Sequence, residues 1–266
     1  MVVLDRIATQ NEIALANTSD FQPDWDSFSS ARIVCPYTDS LVSSYISGLT
    51  SKVIGYIVYR KKIGDSRLHK VGEVGRDCYS IIDHLVVNHA EYQYLVSPIT
   101  ETELGISMQT EPYRTDWNDW TLTSLWEVST NVFCPYEIWN LSLNISASEM
   151  QQNIDKTVFK TYSKYPKISV GSSDYITGNF TCLLGRIDSI TEEYKDTADM
   201  IVAFRNMVAS DRPILMKDTK GQSFLISIDS TSISVNDNLY EQPTTLSFSY
   251  TQIGNPNNIL VFEEGE

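Results

Sequence analysis

Histidine is almost missing from this chain: three residues in 266, His69, His84 and His89, and none after residue 89. Serine–histidine chemistry confined to the second half is therefore excluded. His69 precedes a lysine, and His84 and His89 flank a short apolar turn, so all three read as surface or turn residues rather than convergent metal ligands. Cysteine is equally thin, with Cys35, Cys78, Cys134 and Cys182 far apart and no CxxC pair. That spacing suits buried free thiols better than a disulfide framework. The phosphate-loop, dinucleotide and GxSxG patterns are absent, as is the twelve-residue calcium loop, so no cofactor or metal is expected. No run reaches 18 apolar residues, which argues against a membrane-spanning helix. Residues 1–16 lack the basic leader and apolar core of a secretory signal. Cations are scarce as well: 20 Lys and Arg stand against 34 Asp and Glu, for a net charge of −14. Such a surface repels a phosphate backbone, so direct binding of nucleic acid is not expected. The densest basic run, Arg60, Lys61 and Lys62, reads as the exposed end of a hairpin.

What the chain does have is apolar and aromatic mass. Hydrophobic residues make up 42% of it, with 15 Tyr and 5 Trp, a composition that fills cores and favours strands. Residues 1–30 read as an extended N-terminal arm. From residue 31 short strands follow one another: "KVIGYIVYRKK" is apolar on both faces, "IGDSR" turns, "LHKVGEV" returns, and "NHAEYQYLVSPI" alternates Tyr92, Tyr94 and Val96. That spacing predicts a small all-β sandwich over 31–115. Before residue 115 there are 14 acidic and 10 basic residues, and after it 20 and 10, so the second region, 116–266, carries most of the charge.

The second region opens on Trp117, Trp120 and Trp126. These side chains suit core packing, a subunit contact, or stacking on a sugar. "TVFKTYSKYPKISV" reads as strand, turn, strand. Met200, Ile201, Phe204, Met207 and Val208 recur at three and four residues, which predicts a helix near 197–209, with Thr197 as cap and Pro213 barring continuation. "ILMKDTKGQSFLISI" is a hairpin whose Asp218 and Gly221 suit a tight reversal. In "LSFSYTQI", Leu246, Phe248 and Tyr250 face one way and Ser247, Ser249 and Thr251 the other. The fold class expected is mainly β: a sandwich followed by a β-barrel or sandwich with one crossing helix. Among the carboxylates, Asp188, Glu192 and Glu193 are candidates for a paired hydrolytic site, but nothing in the sequence brings two of them to one cleft. The chain reads as non-enzymatic.

"GYIVYRKKIGDSRLHKVGEV" followed by "SIIDHLVVNHAEYQYLVSPI" resembles fibronectin type III-like domains over about residues 31–112. Tyr59–Arg60, Asp83 and the Tyr92–Val96 stretch stand where that family carries a Tyr-Arg pair, an Asp and a Tyr-x-Tyr-x-Val strand. "SKYPKISVGSSDYITGNFTCLLG", "FRNMVASDRPILMKDTKGQSFLISI" and "TTLSFSYTQIG" resemble minor structural proteins of bacteriophage tails, over about residues 118–255. The resemblance implies a β-barrel with a crossing helix and a structural subunit of a phage tail or baseplate. It further implies a homo-oligomeric, six-fold ring contacting other virion tail proteins, located in the virion and assembled in the host cytoplasm. The candidate interface residues are Trp117, Trp120, Trp126, Asp218, Lys220 and Gly221. The alternative is a carbohydrate-binding module of a host-adsorption device, motivated by the Trp and Tyr content.

Overall fold

The computed structural model describes residues 24–25, 31–34, 53–76, 78, 80–102, 104–105, 107–141, 145, 147–160, 165–187, 194–195, 198–236 and 242–264. The first eight strands are β1 (Asp24–Trp25), β2 (Ala31–Val34), β3 (Gly55–Lys62), β4 (Leu68–Gly75), β5 (Ser80–Asp83), β6 (Glu91–Ile99), β7 (Met108–Gln109) and β8 (Tyr113–Arg114). They are followed by β9 (Trp120–Ser129), β10 (Val132–Leu141), β11 (Ala147–Phe159), β12 (Lys167–Leu183), β13 (Arg186–Ile187) and β14 (Tyr194–Lys195). The helix α1 (Ala198–Ala209) comes next, then β15 (Ile214–Lys217), β16 (Ser223–Asn236), β17 (Gln242–Gly254) and β18 (Leu260–Glu264). The fold is mainly β, as the alternating pattern demands.

Strands β4, β3, β6 and β7 form one sheet in that order, with β8 also paired to β6. A second sheet of eleven strands runs β1-β2-β5-β18-β10-β9-β15-β16-β17-β12-β11. Its path is open, with β1 and β11 at the two ends, so among the described residues the barrel alternative is not realised and the second region is built on an open, layered sheet. Strand β18 lies antiparallel to β5 (Phe262 opposite Asp83) and parallel to β10 (Phe133 opposite Val261). The large sheet thus runs through both regions of the chain.

The apolar periodicity of the central strands explains their two-sided burial. In β15, Ile214 and Met216 enter one cluster while Leu215 enters another; in β16, Phe224 and Ile226 part from Leu225 in the same way. Side chains alternate across a strand, so a continuous apolar run needs cover on both faces. One face meets α1, whose Phe204 and Met207 are buried against Leu246, Phe248 and Tyr250, the three residues of β17 that alternation assigns to one side. Rings continue the contact: Trp120 to Phe180 at 4.9 Å, Phe180 to Phe248 at 5.3 Å, and Trp139 edge-on to Phe204 at 5.3 Å. The other face packs Leu125, Phe133, Leu215, Leu225 and Val261 with Leu85 from the first region.

The helix falls where its period places it, and Thr197 lies outside the described residues. Asp199 in its first turn suits the positive end of the helix dipole. At the other end Asp211 takes a φ of 53°, a left-handed residue that stops the helix. Pro213 then gives its carbonyl to the amide of Leu125 at 2.9 Å and hands the chain to β15.

Candidate functional site

The seam between the sheets holds a buried polar cluster. Arg60 on β3 stands opposite Tyr94 on β6. Its Nη1 donates to both carboxylate oxygens of Asp83 on β5, at 2.7 and 2.9 Å. The hydroxyl of Tyr94 donates to Asp83 Oδ2 at 3.0 Å, and the amide of Leu85 donates to Oδ1 at 2.9 Å. The guanidinium carbon lies 5.7 Å from the centre of the Tyr92 ring, and Tyr92 Oη accepts from the amide of Val87 at 3.0 Å. Arg60 is 5% exposed and Asp83 1%. The expectation of an exposed basic run is therefore corrected at Arg60: its charge partner lies 23 residues on, in the other sheet, and only Lys61 and Lys62 stay toward solvent. Burial alone would lower the pKa of Arg60, but Asp83 and the two tyrosines outweigh it and the value rises. Burial, reinforced by the charge of Asp83, pushes the Tyr94 hydroxyl well above its ordinary value. A buried pair of this kind tolerates one arrangement only, because either charge alone is costly in the interior.

Asn88 closes the same seam from the other side. It is buried, and its amide oxygen accepts from the backbone N–H of Trp117 at 2.9 Å and of His89 at 3.0 Å. Its Nδ2 donates to the carbonyls of Trp117 at 2.6 Å and Thr219 at 2.8 Å. That uses both donors and both acceptor sites of the side chain. The reversal after β15 is built as its sequence suggests: Asp218 Oδ1 accepts from the amides of Lys220 at 3.0 Å and Gln222 at 2.6 Å, and Gly221 takes a φ of +90°. A Cβ at Gly221 would lie 2.6 Å from the carbonyl oxygen of Asn88, so glycine permits this close approach.

The candidate interface residues consequently go to different places. Asp218 is buried, Gly221 abuts the chain's own Asn88, and Lys220 is exposed. Trp120 is in the core; Trp117 is half-buried beside Asn88, with the ammonium of the buried Lys217 5.7 Å from its ring. Trp126 alone of the three is well exposed, at 52%. It is joined by Tyr136 from β10, and Arg212 holds its guanidinium 4.8 Å from the Trp126 ring centre and 3.8 Å from that of Tyr136. Sequence reading missed Tyr136 and Arg212. Their signal was the β9–β10 hairpin register, which sets Trp126 opposite Cys134, two residues before Tyr136. His84 is buried rather than at the surface. His69 sits 3.9 Å from Asp65, and His89, exposed and at φ 53°, sits 3.6 Å from Asp116. Among the described residues no three His, Cys, Asp or Glu gather. Asp188, Glu192 and Glu193 lie outside the described residues.

A long exposed apolar feature is the hairpin of β11 and β12. The two strands pair from Ala147–Thr181 out to Phe159–Lys167, but β17 supports β12 only over Thr177–Leu183. Residues 167–176 and the facing part of β11 thus leave the sheet as a two-stranded arm, about 30 Å long at 3.3 Å per residue. Val158, opposite Ile168, shares one face with Val170, and the three are 57–61% exposed. Phe159 on the other face and Tyr165 near the bend are exposed too. The outer edge of β11 carries no further strand among the described residues. From 156 to 167 the sequence has Lys156, Lys160, Lys164 and Lys167 and no acidic residue.

No family model matches this chain, and no curated protein matches it. Among solved structures, a chain from the virion of a native gene transfer agent particle is similar with a TM-score of 0.32 and 8% identity, over 50% of this chain and 92% of that one. A chain from the tail of an empty gene transfer agent particle, computed with helical refinement and C6 symmetry, is similar with a TM-score of 0.33 and 8% identity, over 55% of this chain and 96% of that one.

Proposed function

We propose that this chain is a structural, non-enzymatic subunit of a phage-type tail or baseplate, and that copies of it join through the β11–β12 arm into a ring. The observation that carries the reading is the arm itself. A lone two-stranded ribbon is marginal in water, and a long strand edge beside exposed apolar side chains is a template for another chain. Its occupant is a second copy. The four lysines of the 156–167 sequence leave 34 acidic against 16 basic residues in the rest of the chain, so this segment and the body attract between copies while bodies repel. A contact between two different patches of the same chain is head-to-tail, the geometry that closes a ring when its rotation divides a full turn. Residence in the virion, contacts to other tail proteins and six-fold symmetry belong to the same proposal. So does the fibronectin type III-like reading of the first region, supported by the meeting of Arg60, Asp83 and Tyr94. A carbohydrate-binding role would have to rest on Trp126 and Tyr136, since Trp120 is in the core and Trp117 is half-buried.

Sedimentation velocity of the full chain tests this. Association is expected to grow with concentration and to fall with added salt, and to be lost in a variant with Val158, Ile168 and Val170 replaced by Ser. It should also be lost when Lys156, Lys160 and Lys167 are replaced by Glu. All six residues lie on the arm, away from both core clusters, so the fold is retained. A wild-type chain that stays monomeric at every concentration and salt, or arm variants that associate as well as the wild type, would overturn the proposal.

A further inference from the structure

A cleft of about 420 Å³ opens at the seam, between the β3–β4 hairpin and the turns that follow β15 and β17. This is the size range of small-molecule sites. The hairpin brings Arg60, Lys62, Arg67 and His69 to it, with one carboxylate, Asp65; the other elements bring Ser223, Asn257 and Asn258. The charge balance is the reverse of the chain's own: three full cations to one acid, where the whole sequence has 20 to 34.

Most of the charged groups are already engaged. Arg60 is held by Asp83, and Asp65 accepts from the amide of Arg67 at 3.0 Å with His69 beyond it. The side chain of Asn255 caps its own turn by accepting from the amide of Asn257 at 2.9 Å. What is left uncommitted is specific. Among the described residues the side chains of Lys62, Arg67, Asn257 and Asn258 have no hydrogen-bond or salt-bridge partner, and all four line this one cleft. Two cations supplied by one element and two amides by another call for a ligand with an anionic group at one end and hydroxyls at the other. The net charge of −14 disfavours a polyanion at this surface, whereas a single compact anion meets only the local field.

We propose that this cleft is a binding site for a small hydroxyl-bearing anion of the sugar phosphate class, with Lys62 and Arg67 taking the phosphate and Asn257 and Asn258 the hydroxyls. The proposal is independent of the arm and of the assembly it serves. Calorimetric titration of the full chain at low salt tests it, with glucose 6-phosphate, inorganic phosphate and glucose as probes. The phosphate ester is expected to bind saturably at one site per chain, inorganic phosphate more weakly, and glucose not at all. Replacing Lys62 and Arg67 by Gln should weaken the ester at least about tenfold, the worth of one charge-assisted contact. Replacing Asn257 and Asn258 by Ala should weaken the ester about threefold or more and leave inorganic phosphate unchanged. These side chains are exposed, and unchanged circular dichroism verifies the fold. Replacing Arg114 and Arg205, exposed cations outside both the cleft and the arm, by Gln should change nothing. No saturable binding of either anion overturns the proposal, as does an equal loss in this control variant, which would mark a general charge effect. Binding of inorganic phosphate as tight as the ester, with the asparagines silent, overturns the sugar phosphate assignment.

Discussion

Replacing Asp83 by Asn removes one charge from the seam at nearly constant shape. The amide keeps one oxygen, which can still accept from the amide of Leu85 as the carboxylate does at 2.9 Å, while its NH2 can donate to the Tyr94 oxygen that now donates at 3.0 Å. What disappears is the counter-charge of Arg60, whose Nη1 bonds both oxygens. Arg60 cannot shed its proton, and at 5% exposure its charge meets little water even where it borders the cleft. Breaking a buried pair by removing one partner costs about 3–5 kcal/mol, a large part of the 5–15 kcal/mol that holds a typical domain together. Adding Arg60→Met to Asp83→Asn removes the stranded charge, leaves an acceptor for the Leu85 amide, and should restore most of that loss. The assay is urea unfolding followed by tryptophan fluorescence, with near-ultraviolet circular dichroism as a second probe of the transition. Because the pair ties β3 to β5 in the other sheet, the single variant should also show the first region melting ahead of the second. A cost for Asp83→Asn below about 1 kcal/mol, the value of a solvated surface pair, or a double replacement as damaging as the single one, would refute a stranded buried charge at Arg60.

Gly221→Ala should destabilise the chain by about 1–3 kcal/mol, since the φ of +90° is strained for alanine and the new Cβ would sit 2.6 Å from the Asn88 carbonyl. Gly64→Ala, at φ +89° with open space around it, should cost only the backbone share, about 1 kcal/mol, and the difference between the two melts measures the close approach. Burial pushes the Cys182 thiol from 9.0 to about 12. The folded state holds the neutral thiol, so this contribution is complete below pH 9 and is lost as pH rises toward 12. Iodoacetamide at pH 8 should therefore label Cys182 only on unfolding, and labelling at the rate of a free thiol would contradict the burial. Tyr250, raised to about 12 by burial and then by the charge of Asp218, adds to the same alkaline loss above pH 10.

Local pattern made much of the fold legible. Leu246, Phe248 and Tyr250 carry period two and lie on one face; the spacing from Met200 to Val208 carries the helical period and is a helix; Asp218 and Gly221 mark a reversal and form one. What local pattern cannot carry is which partner a residue meets across the chain. Arg60 reads as the end of a hairpin because Lys61 and Lys62 follow it, and its burial depends on Asp83 in another sheet. His84 lies in a turn, as its context suggests, but its burial likewise depends on what packs over it. The arm was harder still. Val158, Ile168 and Val170 look like any half-buried strand, and nothing in their alternation says that the pairing of β12 with β17 stops at Thr177, opposite Thr251. The cleft at the seam draws Lys62, Ser223 and Asn257 from three separate stretches, so no spacing in the sequence announces it.

Strand β18 fills a slot between β5 and β10 that is left vacant while the chain is being made. Both flanking strands leave the ribosome long before residues 260–264, and each has an unpaired edge in the meantime. Pairing them through residues 260–264 is a long-range step, slow by the nature of its loop closure. Loss of β18 would bare the facing edges of β5 and β10 at once, while the bond from Asn88 to Thr219 still ties the two regions. One short strand thus acts as a keystone, and taking it out turns two interior edges into open ones.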